Sequence, residues 1–293
     1  MQLLTTAEAA EYLRLKERKL YELVAENAIP CTKVTGRWLF PRAELDHWLS
    51  TSLHRPSGLV RPEPMPIVGG SHDPLLEWAL RESRSGLATL AEGSEAGLER
   101  FIQGELIAAA IHLHALDKDS DANVEAMRTR GNLHDAVLIS FLRREQGLLV
   151  AGGNPLAVRS IGDAAKRHAR IATRPKGAGA QLLLIALAQQ SGLKLDQLSL
   201  VEPPCPTGND VAQAIRAGRA DCGIAPRSVA NAAGLEFVPL LWERFDLVIR
   251  QRDYFRDPVQ TFVRFFHTSA LKARAEELSG YDLSDIGRVR YAP

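Results

Sequence analysis

The sequence predicts an α/β protein in two parts: a small helical N-terminal domain with one β-hairpin, and a larger domain where short strands alternate with helices. Three observations carry this reading. A proline-rich stretch, HRPSGLVRPEPMP at residues 54–66, divides the 293-residue chain. Ahead of it, apolar residues recur at helical spacing around a single glycine-centred hairpin. After it, short apolar runs are each followed by a turn and a helical pattern, as expected of a mostly parallel sheet. The expected boundaries are 1–53 for the first domain, 54–66 for a semi-rigid linker and 67–293 for the second.

Composition narrows the function. Lys and Arg number 36 against 35 Asp and Glu, so the net charge is +1. A globally basic nucleic-acid coat is excluded, whereas a local basic patch is not. The hydrophobic fraction of 45% and charged fraction of 24% are those of a soluble globular protein. Cys31, Cys205 and Cys222 have neither zinc-ligand spacing nor the even count of a disulfide framework, which fits a reducing compartment. The N-terminus lacks the basic and apolar regions of a signal peptide. The longest apolar runs, Leu106–Ile111 and Leu182–Ala188, are far short of a membrane span. A cytoplasmic protein with no membrane partner is expected.

In the first domain, Thr5-Thr6-Ala7-Glu8 has the form of a capping box, and a helix follows through Ala9, Ala10 and Leu13. A second helix starts near Glu17, with Leu20, Leu23 and Val24 on one face. Asn27 and Pro30 end it. Thr32–Phe40 reads as two short strands around Thr35-Gly36. Pro41 stops the second strand, and a last helix presents Leu45, Trp48 and Leu49.

This order, helix–turn–helix–hairpin–helix, is that of a winged helix-turn-helix. The stretch LTTAEAAEYLRLKERKLYELVAENAIPCTKVTGRWLFPRAELDHWL, Leu4–Leu49, resembles the excisionase-like branch of the MerR-type winged helices. It departs from that pattern at Leu15-Lys16, where a small polar cap is usual, and at Leu39, where a basic residue is usual. Between Arg14 and Arg42, seven basic residues face three acidic ones, a local charge of +4. A second helix of this kind offers its N-terminal turn to base edges in the major groove. Arg18 and Lys19 occupy that turn, Lys16 lies at its threshold, and Arg37 sits at the hairpin tip. With Lys33 and Arg42 they form the expected contact set for double-stranded DNA. So small a domain covers a short site, which implies a homodimer on paired half-sites.

In the second domain, Ile67-Val68 leads into Gly69-Gly70-Ser71-His72-Asp73-Pro74, where Asp73 is placed to cap a helix through Leu75, Leu76, Trp78 and Leu80. The arrangement recurs. Leu87–Leu90 precedes Gly93-Ser94, and Ile171–Thr173 precedes Arg174–Ala180 and a helix over Gln181–Gln190. Leu198–Val201 precedes Pro206–Asp210 and a further helix. Further strands are expected at Val137–Phe141, at Gly147–Val150 and through Ile111–His114.

The stretch TGNDVAQAIRAGRADCGIAP at 207–226 resembles the second lobe of type 2 periplasmic-binding-protein folds. The fold class is therefore α/β, a small N-terminal winged helix-turn-helix plus a two-lobed type 2 periplasmic-binding-protein-like domain. The resemblance implies two crossings between lobes, here Ala151–Pro155 and Pro239–Glu243. Strand Phe245–Arg250 then returns to the first lobe, followed by a helix at Pro258–His267. "GSHD", "GS-x-x-GL" and "IHL" together resemble the cytoplasmic version of this fold, related to molybdate- and tungstate-binding proteins.

That resemblance implies a cleft lined by Ser71, His72, Ser94, Arg174, Thr207 and Asn209, with His112 beside them. Hydroxyls and backbone N–H groups suit a desolvated oxyanion, and Arg174 or a protonated histidine adds charge. No catalytic constellation, metal-ligand cluster, P-loop or dinucleotide fingerprint is present, so neither an enzyme nor a bound cofactor is expected. The reading is a one-component transcriptional regulator whose effector is a small anion, molybdate or tungstate by resemblance. A small carboxylate or other metabolite as effector, an architectural DNA binder without effector, and an enzyme of molybdenum-cofactor handling remain alternatives.

Overall fold

A computed structural model describes residues 2–34, 36–51, 63–114 and 121–293. Thr35 of the expected hairpin turn and most of the expected linker lie outside the described residues. The chain divides into two compact units, Met1–Arg61 and Pro62–Pro293, each with its own core.

In the smaller unit the order is β1 (Leu3–Thr5), α1 (Thr6–Tyr12), α2 (Glu17–Ala25), β2 (Thr32–Val34), β3 (Arg37–Pro41) and α3 (Arg42–Thr51). The Thr5 side chain accepts from the Glu8 amide while Glu8 accepts from the Thr5 amide, the reciprocal cap expected of T-x-x-E. Arg14, at φ 52°, turns the chain between α1 and α2, and Asn27, at φ 51°, follows α2 in the same left-handed region. Leu20 and Val24 of α2 pack with Ala9, Ala10, Phe40 and Leu45. Strand β1 adds to the hairpin, giving the sheet order β1-β3-β2.

The larger unit opens with β4 (Met65–Gly70), α4 (Pro74–Glu82), β5 (Ala88–Ala91), α5 (Ser94–Gln103), β6 (Leu106–Ile111), α6 (Ala122–Thr129) and the 15-residue β7 (Ala136–Val150). It continues with α7 (Ile161–Lys166), β8 (Arg170–Ala172), α8 (Gly179–Gln190), β9 (Ser199–Val201), α9 (Gly208–Arg216), β10 (Cys222–Pro226), α10 (Arg227–Ala233) and the 15-residue β11 (Glu236–Arg250). It closes with α11 (Gln251–Tyr254), α12 (Asp257–Phe265), α13 (Ser269–Leu278), β12 (Tyr281–Asp282) and β13 (Val289–Tyr291).

The strands form one sheet in the order β5-β4-β6-β11-β7-β10-β8-β9, with β12 and β13 also paired to β7. Strands β4, β5 and β6 pair in parallel, as do β8, β9 and β10. Strands β7 and β11 run antiparallel along their whole length, from Glu236 opposite Val150 to Arg250 opposite Ala136. At about 3.3 Å per residue each extends roughly 50 Å, enough to serve both lobes. In the first lobe their outer halves pack with β4–β6, α4 and α12 through Phe141, Phe245 and Phe262. In the second, Leu148, Leu149 and Val150 pack with α8 and α9.

Three expectations are corrected. The first crossing is not Ala151–Pro155, which is the turn leaving β7. It is β7 itself, and Val137–Phe141 and Gly147–Val150 are the two ends of that one strand. Its polar centre, Arg143 to Gln146, looks like a loop because two buried polar side chains interrupt the apolar run. The strand expected through His114 ends at Ile111. Residues Met65 and Pro66, placed in the linker by their prolines, belong to β4, since proline is tolerated at the first positions of a strand.

Candidate functional site

In the smaller unit, α2 buries one face and leaves Lys16, Arg18 and Lys19 exposed. The Arg18 side chain is 91% exposed, and its Nε lies 3.4 Å from Glu22; Lys19 Nζ lies 3.2 Å from the same carboxylate. Such exposed pairs are weak and yield readily to phosphate. Gly36, at φ +84°, supplies a left-handed turn residue beside exposed Arg37. Lys33 Nζ lies 5.2 Å from the Trp38 ring centroid. Arg42 is placed differently. Its guanidinium covers Tyr12 and donates to Gln2, and it borders a hollow with Glu8 and Glu11. Its engagement with Tyr12 and Gln2 sets it apart from the other five.

In the larger unit, a narrow cleft lies where the helix starts of both lobes meet. It is lined by Ser71, His72, His112, Arg144, Gln146 and Arg174, with the first turn of α8 and Gly208 of α9. The two lobes touch at its rim, where the Glu95 amide donates to Gly177 O at 3.3 Å. The start of α8 sits so close to His112 that a Cβ on Gly179 would fall 2.2 Å from the His112 carbonyl and ring. Ala178 precedes this 12-residue helix, and no side chain caps it. Its first N–H groups therefore stay open beside the cleft, a backbone arrangement suited to anions.

Four of the seven expected ligand residues line the cleft: Ser71, His72, His112 and Arg174. His72 bonds Glu77 through Nε2. Ser94 is placed one layer behind. Fully buried, it bonds the Ser71 hydroxyl at 2.7 Å and accepts from the His112 amide at 3.0 Å. It ties β4, α5 and the end of β6 together instead of facing the cleft. Thr207 is turned to its own helix, capping α9 and bonding Asp210. Asn209 is exposed and does not line the cleft. In both cases helix-start geometry satisfies the side chain locally or turns it outward, while the adjacent Gly208 backbone borders the cavity.

Arg174 holds the loop by donating to the Cys205 and Pro206 carbonyls, both at 2.8 Å. No carboxylate among the described residues pairs with it. Burial, then repulsion from Arg144, pulls its guanidinium down to about 10, so it stays charged at neutral pH.

Beneath the cleft lies a polar cluster whose main members the sequence reading missed. Arg144, 1% exposed, donates to Glu243 at 2.6 Å, to Asp73 at 2.8 Å and to the His72 carbonyl. Asp73 caps α4 with its other oxygen, accepting from the Leu75 and Leu76 amides as expected. Glu243 also accepts from Gln146 Nε2 at 2.8 Å and bonds His114 Nε2 at 2.8 Å. Burial pushes the Glu243 carboxyl up, but the Arg144 guanidinium and the His114 bond outweigh it and hold it below the usual carboxylate range. Burial drives His112 the other way for its class, well below the usual imidazole range, so its ring is neutral. It stacks on Phe245 at 5.7 Å, and neither ring nitrogen finds a hydrogen-bond partner among the described residues. The signal that could have revealed Arg144 and Gln146 is their i, i+2 spacing, which puts both on one face of a strand.

Among the described residues, no group of three or more His, Cys, Asp or Glu side chains is placed to hold a metal. No described helix is long and apolar enough to cross a membrane.

The chain thus carries a helix-turn-helix unit and a two-lobed α/β unit. A helix-turn-helix domain model matches residues 3–52, and a PBP superfamily domain model matches residues 77–267. The chain belongs to the PBP superfamily. It is similar along almost its whole length to the uncharacterized protein YvgK of Bacillus subtilis, 24% identical and covering 97% of this chain and 96% of that protein. A Clostridium pasteurianum protein described from the 5′ region of a 2Fe-2S ferredoxin gene is 30% identical over 80 residues, 27% of this chain and 71% of its own length. Among solved structures, the regulatory domain of the LysR family regulator MetR from N. meningitidis superimposes with a TM-score of 0.51 at 12% identity, covering 74% of this chain and 96% of that domain. The larger unit thus shares the fold of that regulatory domain.

Proposed function

We propose that this protein is a one-component transcriptional regulator: the larger unit binds a small anion, and binding changes the affinity of the helix-turn-helix unit for its operator. The observation that carries the anion reading is the conjunction at the cleft. A half-buried arginine without a carboxylate partner among the described residues and an uncapped helix start open onto one cavity. Such a site favours negative charge without supplying a full set of countercharges. The resemblance of "GSHD", "GS-x-x-GL" and "IHL" makes molybdate and tungstate the first candidates, with a small carboxylate as the alternative. Lys16, Arg18, Lys19, Lys33 and Arg37 are the proposed DNA contacts, on a homodimer reading paired half-sites.

Effector control requires that the anion bind one arrangement of the lobes better than another. The test has two stages. Thermal melting of the full chain with molybdate, tungstate, sulfate, phosphate, formate and small carboxylates identifies the class that binds. Duplexes selected from a random pool by the protein are then titrated with and without that anion at fixed salt. A change in operator affinity of fivefold or more supports effector control, and an unchanged affinity at saturating anion refutes it.

A further inference from the structure

We infer that the cleft selects anions that also carry a hydrogen-bond donor, a hydroxyl, an amine or an acidic proton, and that Gln146 is the residue that reads it. The inference rests on the anion-binding reading of the cleft and narrows its ligand class.

Gln146 lies in β7 at the middle of the molecule's larger sheet, opposite Leu241 of β11 and Pro226 of β10. It is 1% exposed and lines the cleft. Its two amide ends have different fates. Nε2 donates to Glu243 Oε1 at 2.8 Å. Oε1 is buried and finds no partner among the described residues. The orientation of this amide is set by chemistry. Glu243 is ion-paired with Arg144 at 2.6 Å and bonded to His114, so it is an acceptor only. Turning the amide over would place its oxygen against that carboxylate. Gln146 therefore presents a fixed acceptor, and leaving such a group unmatched when a ligand seals the cleft is unfavourable.

The other cleft groups complete the pattern. Arg174 and the open N–H groups of α8 are donors for the anionic end. His112, neutral and unpartnered at both ring nitrogens, has one donor and one acceptor. A cleft built only to hold a fully deprotonated oxyanion, such as sulfate or molybdate, has no use for a buried acceptor, because such an ion brings no proton to it. An unmatched acceptor in the wall of the cleft would instead repel its oxygens. A protonated oxyanion or a hydroxy- or amino-carboxylate satisfies both ends at once. An unmatched buried acceptor reduces affinity by about five- to a hundredfold, so the discrimination is measurable.

The experiment compares matched probes on the full chain by isothermal calorimetry at pH 6. Glycolate is set against fluoroacetate, which has the same charge and similar size but no donor. Inorganic phosphate, which is protonated at this pH, is set against sulfate, with molybdate alongside. The expected result is at least fivefold tighter binding of the donor-bearing member in whichever pair binds, with molybdate weaker than that member. In Gln146→Met the preference falls to twofold or less. Binding without a fivefold preference, or molybdate binding as tightly as the donor-bearing probe, overturns the inference and leaves the anion reading intact. A preference that survives in Gln146→Met removes Gln146 from the role. Should Gln146→Met fail to fold, the wild-type ratios alone decide. Binding of none of these probes refutes the anion reading itself, and the inference falls with it.

Discussion

At the residue scale, buried Arg144 and half-buried Arg174 line one cleft, and their partners separate their roles. Arg144 is bound to two carboxylates, whereas Arg174 is bound only to backbone carbonyls. The charge available to a ligand is therefore that of Arg174. Arg174→Gln should weaken anion binding by about tenfold or more, the range of a hydrogen bond to a charged group. The same residue sets a pH profile. Because its guanidinium titrates near 10, binding of sulfate or a carboxylate should be flat from pH 6 to 8 and decline as pH rises toward 10. A decline centred near pH 6.5 would instead assign the charge to a histidine, against the neutral state that burial imposes on His112. Asp73 offers a stability test. Removing it with Asp73→Ala uncaps α4 and leaves buried Arg144 with one carboxylate fewer, and it should lower unfolding stability by about 3–5 kcal/mol in urea titrations. The capping role of Asp73 was legible in the sequence because a cap is local. Its ion pair with Arg144, 71 residues away, was not.

At the scale of elements, local signals sufficed wherever an element satisfies itself. The capping box of α1, the Asp73 start of α4, and the glycine-bearing turn before α8 were all readable because each depends on neighbours within a few residues. Strand β7 was not, because its polar centre is explained only by α4, β11 and the cleft. Thr207 and Asn209 were misjudged for the converse reason: local capping satisfied one and exposure removed the other. Two predictions belong here. On the proposed reading α2 and the hairpin meet the DNA phosphates, so Arg18→Ala or Lys19→Ala should each reduce the slope of log affinity against log salt by about one. Arg42→Ala, beside Tyr12 and the acids of α1, should leave that slope unchanged. Helix α8 meets His112 with no room for a Cβ at Gly179, the nearest contact being 2.2 Å. Gly179→Ala should therefore push the helix start off His112 and weaken anion binding by roughly tenfold or more, while circular dichroism shows the helix content retained.

At the scale of the whole molecule, the chain joins two units with separate cores, and that separation makes the regulatory reading testable by heat. The smaller unit packs around Leu20, Phe40 and Leu45, the larger around two lobes tied by β7 and β11. Because neither core contains residues of the other, calorimetry of the full chain should resolve two transitions, the larger enthalpy belonging to the two-lobed unit, since unfolding enthalpy scales with size. An anion bound at one hundred times its Kd stabilises the state that holds it by about 2.7 kcal/mol. For a unit of this size that raises the melting midpoint by roughly 5–10 °C. The anion should move the larger transition by that amount, and duplex DNA should move the smaller one. Linkage then requires a reciprocal effect in a regulator: whatever the anion does to operator affinity, operator must do to anion affinity by the same factor. With both ligands present, the midpoint shifts should therefore exceed or fall short of those seen with either alone. Shifts that simply match the separate values would mean that the two units bind their ligands independently, and the chain would then be a DNA-binding protein that carries an uncoupled anion site.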